Sequence, residues 1–180
     1  MSQLIPITQL DDIPLQYRNT PIELLIRYHN LGEPFDTYTN AALLVGMCMD
    51  NRKSLTIPDN FAFIIRAGGA NLRYSEFKVS FAIAVGGVKA IALIGHNNCG
   101  MVNILGRKDQ FIKGLVENGG WLEEDAEEAF EKSAPIYEIG SETDFILTEV
   151  KRLRLRYPKI IVAPFIYKVE ENKLYSIKEE

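Results

Sequence analysis

Three short apolar runs, "AALLVGM" (41–47), "FAFIIR" (61–66) and "AIALIG" (90–95), constrain this chain more than any other feature. Each is bounded by turn residues and is too short for a buried helix, so each reads as a strand covered on both faces, the pattern of parallel sheets. Between the second and third lies "LRYSEFKVSFAIAVGGV", in which Phe77, Phe81, Ala84, Val85 and Val88 recur at helical spacing and Gly86 and Gly87 supply a stop. Strand, helix and strand within about thirty residues make a right-handed crossover unit, which predicts that the two strands lie parallel in one sheet.

The rest of the chain extends that alternation. "PIELLIRYHN" opens with Pro21 at a helix start and stops at "NLG". "MVNILG" predicts another helical start, "GLVENGGWLEEDAEEAFEKSA" reads as a helix-rich excursion, and "SETDFILTEVKRLRLRYP" is a long helix. In that helix Ser141 and Asp144 have the form of a capping box, and Ile146, Val150, Leu153 and Tyr157 make the buried stripe. "KIIVAPFIYKVEENKLYSI" predicts a strand followed by a terminal hairpin or edge strand about "EENK". Residues 1–20 carry Pro6 and Pro14 with little periodicity and read as an extended N-terminal arm lying on another surface. The expected fold is therefore α/β, a mainly parallel central sheet flanked by helices, in a single domain over 1–180. A chain of 180 residues can bury such a core without disulfide or metal staples.

Charge narrows the function classes. A formal net charge of −4 and the lack of a basic stripe argue against nucleic acid, whose binding needs phosphate neutralisation. The one dense basic run, "KRLRLRYPK", falls at the end of the long helix, where it complements the helix dipole. No run approaches the roughly 18 apolar residues that cross a bilayer, and the opening lacks the build of a signal peptide, so no membrane partner and a cytoplasmic location are expected. In that compartment Cys48 and Cys99 read as thiolates rather than a disulfide.

In open parallel sheets the ligand site lies beyond the carboxyl ends of the strands. Cys48 follows the first run, and His96 with Cys99 follows the third, in "GHNNCG". Two thiolates and an imidazole suit tetrahedral zinc with one position open. Asn97 and Asn98 allow a tight turn, and Cys99 is expected at a helix entry that favours its thiolate. H-x-x-C alone reads equally well as a core histidine beside a buried free cysteine. The other cysteine shifts the balance: in "CMDNR", Asp50 and Arg52 follow Cys48 at spacings of two, which puts all three on one side of an extended chain. A guanidinium that holds a carboxylate beside a metal ligand is a common outer-sphere arrangement.

"CMDNR" followed by "HNNC" resembles the C-x-D-x-R and H-x-x-C pair of β-class carbonic anhydrases. "FAFIIRAGGANL", "SFAIAVGGVKAIALIGHNNCG" and "VAPFIYKVEENKLYSI" resemble the stretches around and after those motifs, over about 40–105 and 141–176. The resemblance implies zinc held by Cys48, His96 and Cys99, with Asp50 and Arg52 as a catalytic dyad, and reversible hydration of carbon dioxide to bicarbonate by zinc-bound hydroxide. Some members of the family have instead a closed form, in which Asp50 would take the fourth zinc position, and the sequence does not choose between the two; the resemblance also implies a homodimer or larger assembly. Enzymes that hydrolyse carbonyl sulfide or carbon disulfide resemble the family through the same motifs, and a zinc-stabilised scaffold without turnover is a third reading. The chain departs from the family at Met49, Asn51 and Asn98, in the order of "RAGGAN", and in residues 107–140, which have no clear counterpart. His29, the only spare histidine, is expected at a helix C-terminus, where the dipole favours its charged form.

Overall fold

The structure, a computed structural model, describes residues 3–179. The first and third apolar runs become β2 (Leu43–Cys48) and β4 (Ala90–His96), buried along their whole length. They are adjacent and parallel, and β3 (Ala62–Ala67) pairs parallel with the other side of β2. On the far side of β4 runs β5 (Ile161–Lys168), also parallel; the chain then turns back into β6 (Lys173–Ile177), antiparallel to β5. A short β1 (Leu4–Pro6) closes that edge antiparallel to β6, so the order is β1-β6-β5-β4-β2-β3. The predicted mainly parallel sheet and terminal hairpin are both present.

Alternation along each strand sends successive side chains to opposite faces, and both faces of the central strands β2, β4 and β5 are covered, while edge strand β3 is partly exposed. On one, Leu43, Val45, Met47, Ala92 and Ile94 meet Ile22, Leu25 and Ile26 of α1 (Pro21–His29). On the other, Leu44, Ile91 and Leu93 meet Val79 and Ala82 of α2 (Glu76–Ala84) and the stripe Ile146, Val150 and Leu153 of α5 (Glu142–Arg156). The start of α5 is capped as predicted, with Ser141 Oγ accepting from the Asp144 amide at 3.4 Å. Its basic end is bound into the fold: Arg152 pairs with the fully buried Glu149, and Arg154 donates to the Val162 carbonyl and pairs with Glu179.

Three expectations are corrected. Residues 4–17 do not form an arm directed elsewhere: Leu4–Pro6 is an edge strand, and Ile7, Ile13 and Tyr17 are buried in the α1-side core of the same chain. Proline suits such an edge because its missing N–H is not needed by a neighbour; Met1 and Ser2 lie outside the described residues. The helical spacing in the crossover locates α2 but not its buried face. Phe77, Phe81 and Val85 are 81%, 50% and 70% exposed, while Val79 and Ala82 are buried. Both sides of this helix are apolar, so spacing fits either, and the small side meets the sheet. Finally, "MVNILG" forms a turn and a 3-10 segment at Ile104–Arg107 rather than an α-helix; α3 (Lys108–Gly119) and α4 (Glu123–Tyr137) follow.

Candidate metal centre

Cys48 is the last residue of β2 and His96 the last of β4, so pairing these strands brings the two side chains to one sheet edge. Cys99 returns to them through a tight turn in which Asn98 has φ 55, a left-handed conformation that asparagine tolerates better than most residues. Immediately before His96, Gly95 leaves room for α5: a Cβ there would lie 2.8 Å from Ile146 Cγ1.

The two sulfurs are 3.9 Å apart, and the ligand atoms of Cys48, His96 and Cys99 all lie within 4.8 Å of one another, buried. Zinc–sulfur bonds of about 2.3 Å in tetrahedral geometry place two sulfurs about 3.8 Å apart. His96 Nδ1 lies 2.9 Å from the Asn97 carbonyl, which can only accept, so Nδ1 carries the proton and Nε2 presents a lone pair. That Nε2 is buried without a hydrogen-bond partner. A soft donor set with an orphaned imidazole nitrogen fits zinc. The contact between the two sulfurs holds the Cys48 thiol far below its usual range and pushes that of Cys99 up.

Cys99 does not stand at a helix entry, the expected source of thiolate stabilisation. Instead its amide donates to Glu142 Oε1 at 3.2 Å, which anchors the cysteine to the first turn of α5.

Asp50 and Arg52 meet as the spacing predicts. Arg52 Nη2 lies 2.7 Å from Asp50 Oδ2, Nε donates to Oδ1 at 3.0 Å, and the Arg52 amide also donates to Oδ1. The Arg52 guanidinium and amide hydrogen bonds together hold the Asp50 carboxyl below the usual carboxylate range against the opposing effect of burial. Arg52 Nη2 also donates to the Asn98 carbonyl at 2.9 Å, tying the two motifs together. The same Asp50 Oδ2 is 3.8 Å from His96 Nε2.

His29 closes α1 but is not a charged helix terminus. Its ring stacks on Tyr167, its Nδ1 accepts from the Thr56 amide at 3.1 Å, and burial pushes its pKa down to about 4. Sequence reasoning missed Glu142, which only the fold brings to Cys99. It also missed Arg66, whose guanidinium reaches the Cys48 carbonyl, and Lys53, which is 3% exposed with an unpartnered Nζ whose pKa burial lowers. Beside the cluster, Met49, Gly68, Met101, Phe111, Phe130 and Tyr137 line an apolar cavity of about 310 Å³. Its far wall is α3 and α4, so the excursion 107–140 roofs the sheet edge that carries the cysteines.

No protein-family model matches the sequence, and no curated protein does. Solved structures do match in fold. A carbonic anhydrase from Glaciozyma antarctica has a TM-score of 0.63 at 21% identity, covering 92% of this chain and 100% of that one. β-Carbonic anhydrase isoform I of Trichomonas vaginalis has a TM-score of 0.63 at 20% identity, covering 83% and 90%. The apo form of a carbon disulfide hydrolase has a TM-score of 0.55 at 24% identity, covering 86% and 85%. The fold defined by this sheet and its flanking helices is that of the β-carbonic anhydrases.

Proposed function

We propose that this chain is a zinc-dependent carbonic anhydrase of the β class, catalysing the reversible hydration of carbon dioxide to bicarbonate. The observation that carries the reading is the buried Cys48–His96–Cys99 cluster with a carboxylate, held by Arg52, 3.8 Å from His96 Nε2. When bound there, zinc would supply a water of lowered pKa as nucleophile. Cys48, His96 and Cys99 would hold it, with His96 kept in the right tautomer by the Asn97 carbonyl. Asp50, ionised because Arg52 pairs with it, would accept a hydrogen bond from a water held there and so orient it towards the substrate carbon. Arg52 keeps the carboxylate oriented and stops it from competing for the open position. The deciding measurement is stopped-flow carbon dioxide hydration by protein of measured zinc content. Zinc-loaded protein with no hydration above buffer would sink the reading.

A second reading, hydrolysis of a sulfur analogue such as carbon disulfide, is favoured by one observation. The apolar cavity beside the cluster is lined by the soft thioethers Met49 and Met101, surroundings that suit a larger apolar substrate. Release of hydrogen sulfide from carbon disulfide without carbon dioxide hydration would select it. We also propose a homodimer, supported by the apolar surface that edge strand β3 and α2 present through Phe63, Ile64, Phe77, Phe81 and Val85. A cytoplasmic location is proposed with it; among the described residues no helix is long and apolar enough to cross a membrane.

A further inference from the structure

Arg66 lies near the end of β3, across the sheet edge from the residues already assigned. Its guanidinium donates only to backbone carbonyls, Nη1 to Cys48 and to Asp50 and Nη2 to Lys53, each at 3.3 Å. Those carbonyls span the whole turn that carries Cys48, Asp50 and Arg52. The turn's other ties are the Met49 amide to the Ala67 carbonyl at 3.2 Å, at the end of β3, and Arg52 to the Asn98 carbonyl at 2.9 Å, beyond β4; the Met49 side chain is 65% exposed. A charged donor makes stronger hydrogen bonds than a neutral one, and the planar fork of arginine fixes direction as well as distance. The position of the Asp50 backbone relative to β3 is thereby set from outside the turn. That position matters because the Asp50 carboxylate stands between two groups, Arg52 at 2.7 Å and the metal-binding cluster, where the same oxygen is 3.8 Å from His96 Nε2. A displacement of about 1 Å at a reacting centre is enough to change its chemistry.

We propose that Arg66 is a positioning residue: by holding the Cys48, Asp50 and Lys53 carbonyls it keeps the Asp50 carboxylate on Arg52 and away from the metal's open position. The role rests on the zinc reading above. It acts through Asp50 alone, so it has a signature that a general brace lacks.

The test uses Arg66→Met and Arg66→Lys, each alone and combined with Asp50→Asn. Zinc content, thermal unfolding, kcat and KM for carbon dioxide hydration, and the pH-dependent visible spectrum of the cobalt(II)-substituted protein are measured. Arg66→Met should keep its metal and lose about tenfold in kcat, the low end of what outer-sphere losses cost, with little change in KM. Its cobalt spectrum should shift at neutral pH and lose pH sensitivity as the carboxylate occupies the open position. Arg66→Lys should recover part of both, since an ammonium still donates to carbonyls. With Asp50→Asn present, Arg66→Met should leave the spectrum where Asp50→Asn alone puts it. An unchanged spectrum in Arg66→Met, or an equal shift without the Asp50 carboxylate, overturns the proposal. Wild-type protein that does not hydrate carbon dioxide would defeat the functional reading, and the cobalt spectra would still decide Arg66. Should Arg66→Met fail to fold, Arg66→Gln takes its place with the same expectations.

Discussion

On the zinc reading Cys48, His96 and Cys99 would hold the metal between them, and none of the three should be dispensable. Cys48→Ser, His96→Ala and Cys99→Ser should each lose the about one zinc per chain expected of the wild type, as metal analysis of purified protein will report. Asp50→Asn and Arg52→Ala should keep zinc and lose most hydration activity; unchanged rates in both would make their ion pair an ordinary turn contact. His29 predicts behaviour of a different kind. Its folded pKa, about 4, lies below the ordinary histidine value of 6.5, so between those values the unfolded chain binds the extra proton. Stability should therefore fall as pH drops from about 6.5 towards 4, by about 3 kcal/mol for a shift of that size. Urea unfolding at pH 7 and pH 4.5 should show a smaller drop in His29→Gln, whose amide oxygen can still accept from Thr56. These residues differ in how visible they were. The ligands and the dyad declare themselves through spacing within two short motifs. Glu142 and Arg66 do not, because each meets its partner only across the folded sheet edge.

Among the elements, α2 turns a cluster of large apolar side chains outward. Its outward Phe77, Phe81 and Val85 continue the exposed Phe63 and Ile64 of β3. Phe77→Glu with Phe81→Glu should weaken self-association in sedimentation while leaving zinc content and unfolding cooperativity intact; association unchanged by both charges would move the interface elsewhere. The N-terminal residues predict the opposite pairing of effects. Burial of one side chain such as Ile7 or Ile13 contributes about 1.5–3 kcal/mol, so deleting residues 1–20 should lower the Tm of the chain itself, not merely its association. The elements were legible where periodicity met a cap or a run of buried strand, as in α5, β2 and β4. They were less so where two faces were equally apolar, as in α2. They were also less so where three residues sufficed, as in β1, because a strand that short carries no alternation to read.

For the molecule as a whole, the zinc reading predicts that chelation lowers Tm and that zinc restores it. A ligand that binds only the folded state stabilises it by about 4 kcal/mol at a thousand times its Kd. Differential scanning fluorimetry with and without chelator measures this, and an unchanged Tm with confirmed zinc loss would count against a shared site. The sheet order itself carries a consequence in time. Cys48 and Cys99 are 51 positions apart, and only parallel pairing of β2 with β4 brings them together. Before that pairing the growing chain offers a metal ion His96 and Cys99 alone, a weak local grip. Parallel pairings across long loops are among the slower events in folding. Tight metal capture should therefore come after the topology is complete, and the moment of zinc uptake would serve as a clock for the last step of assembly.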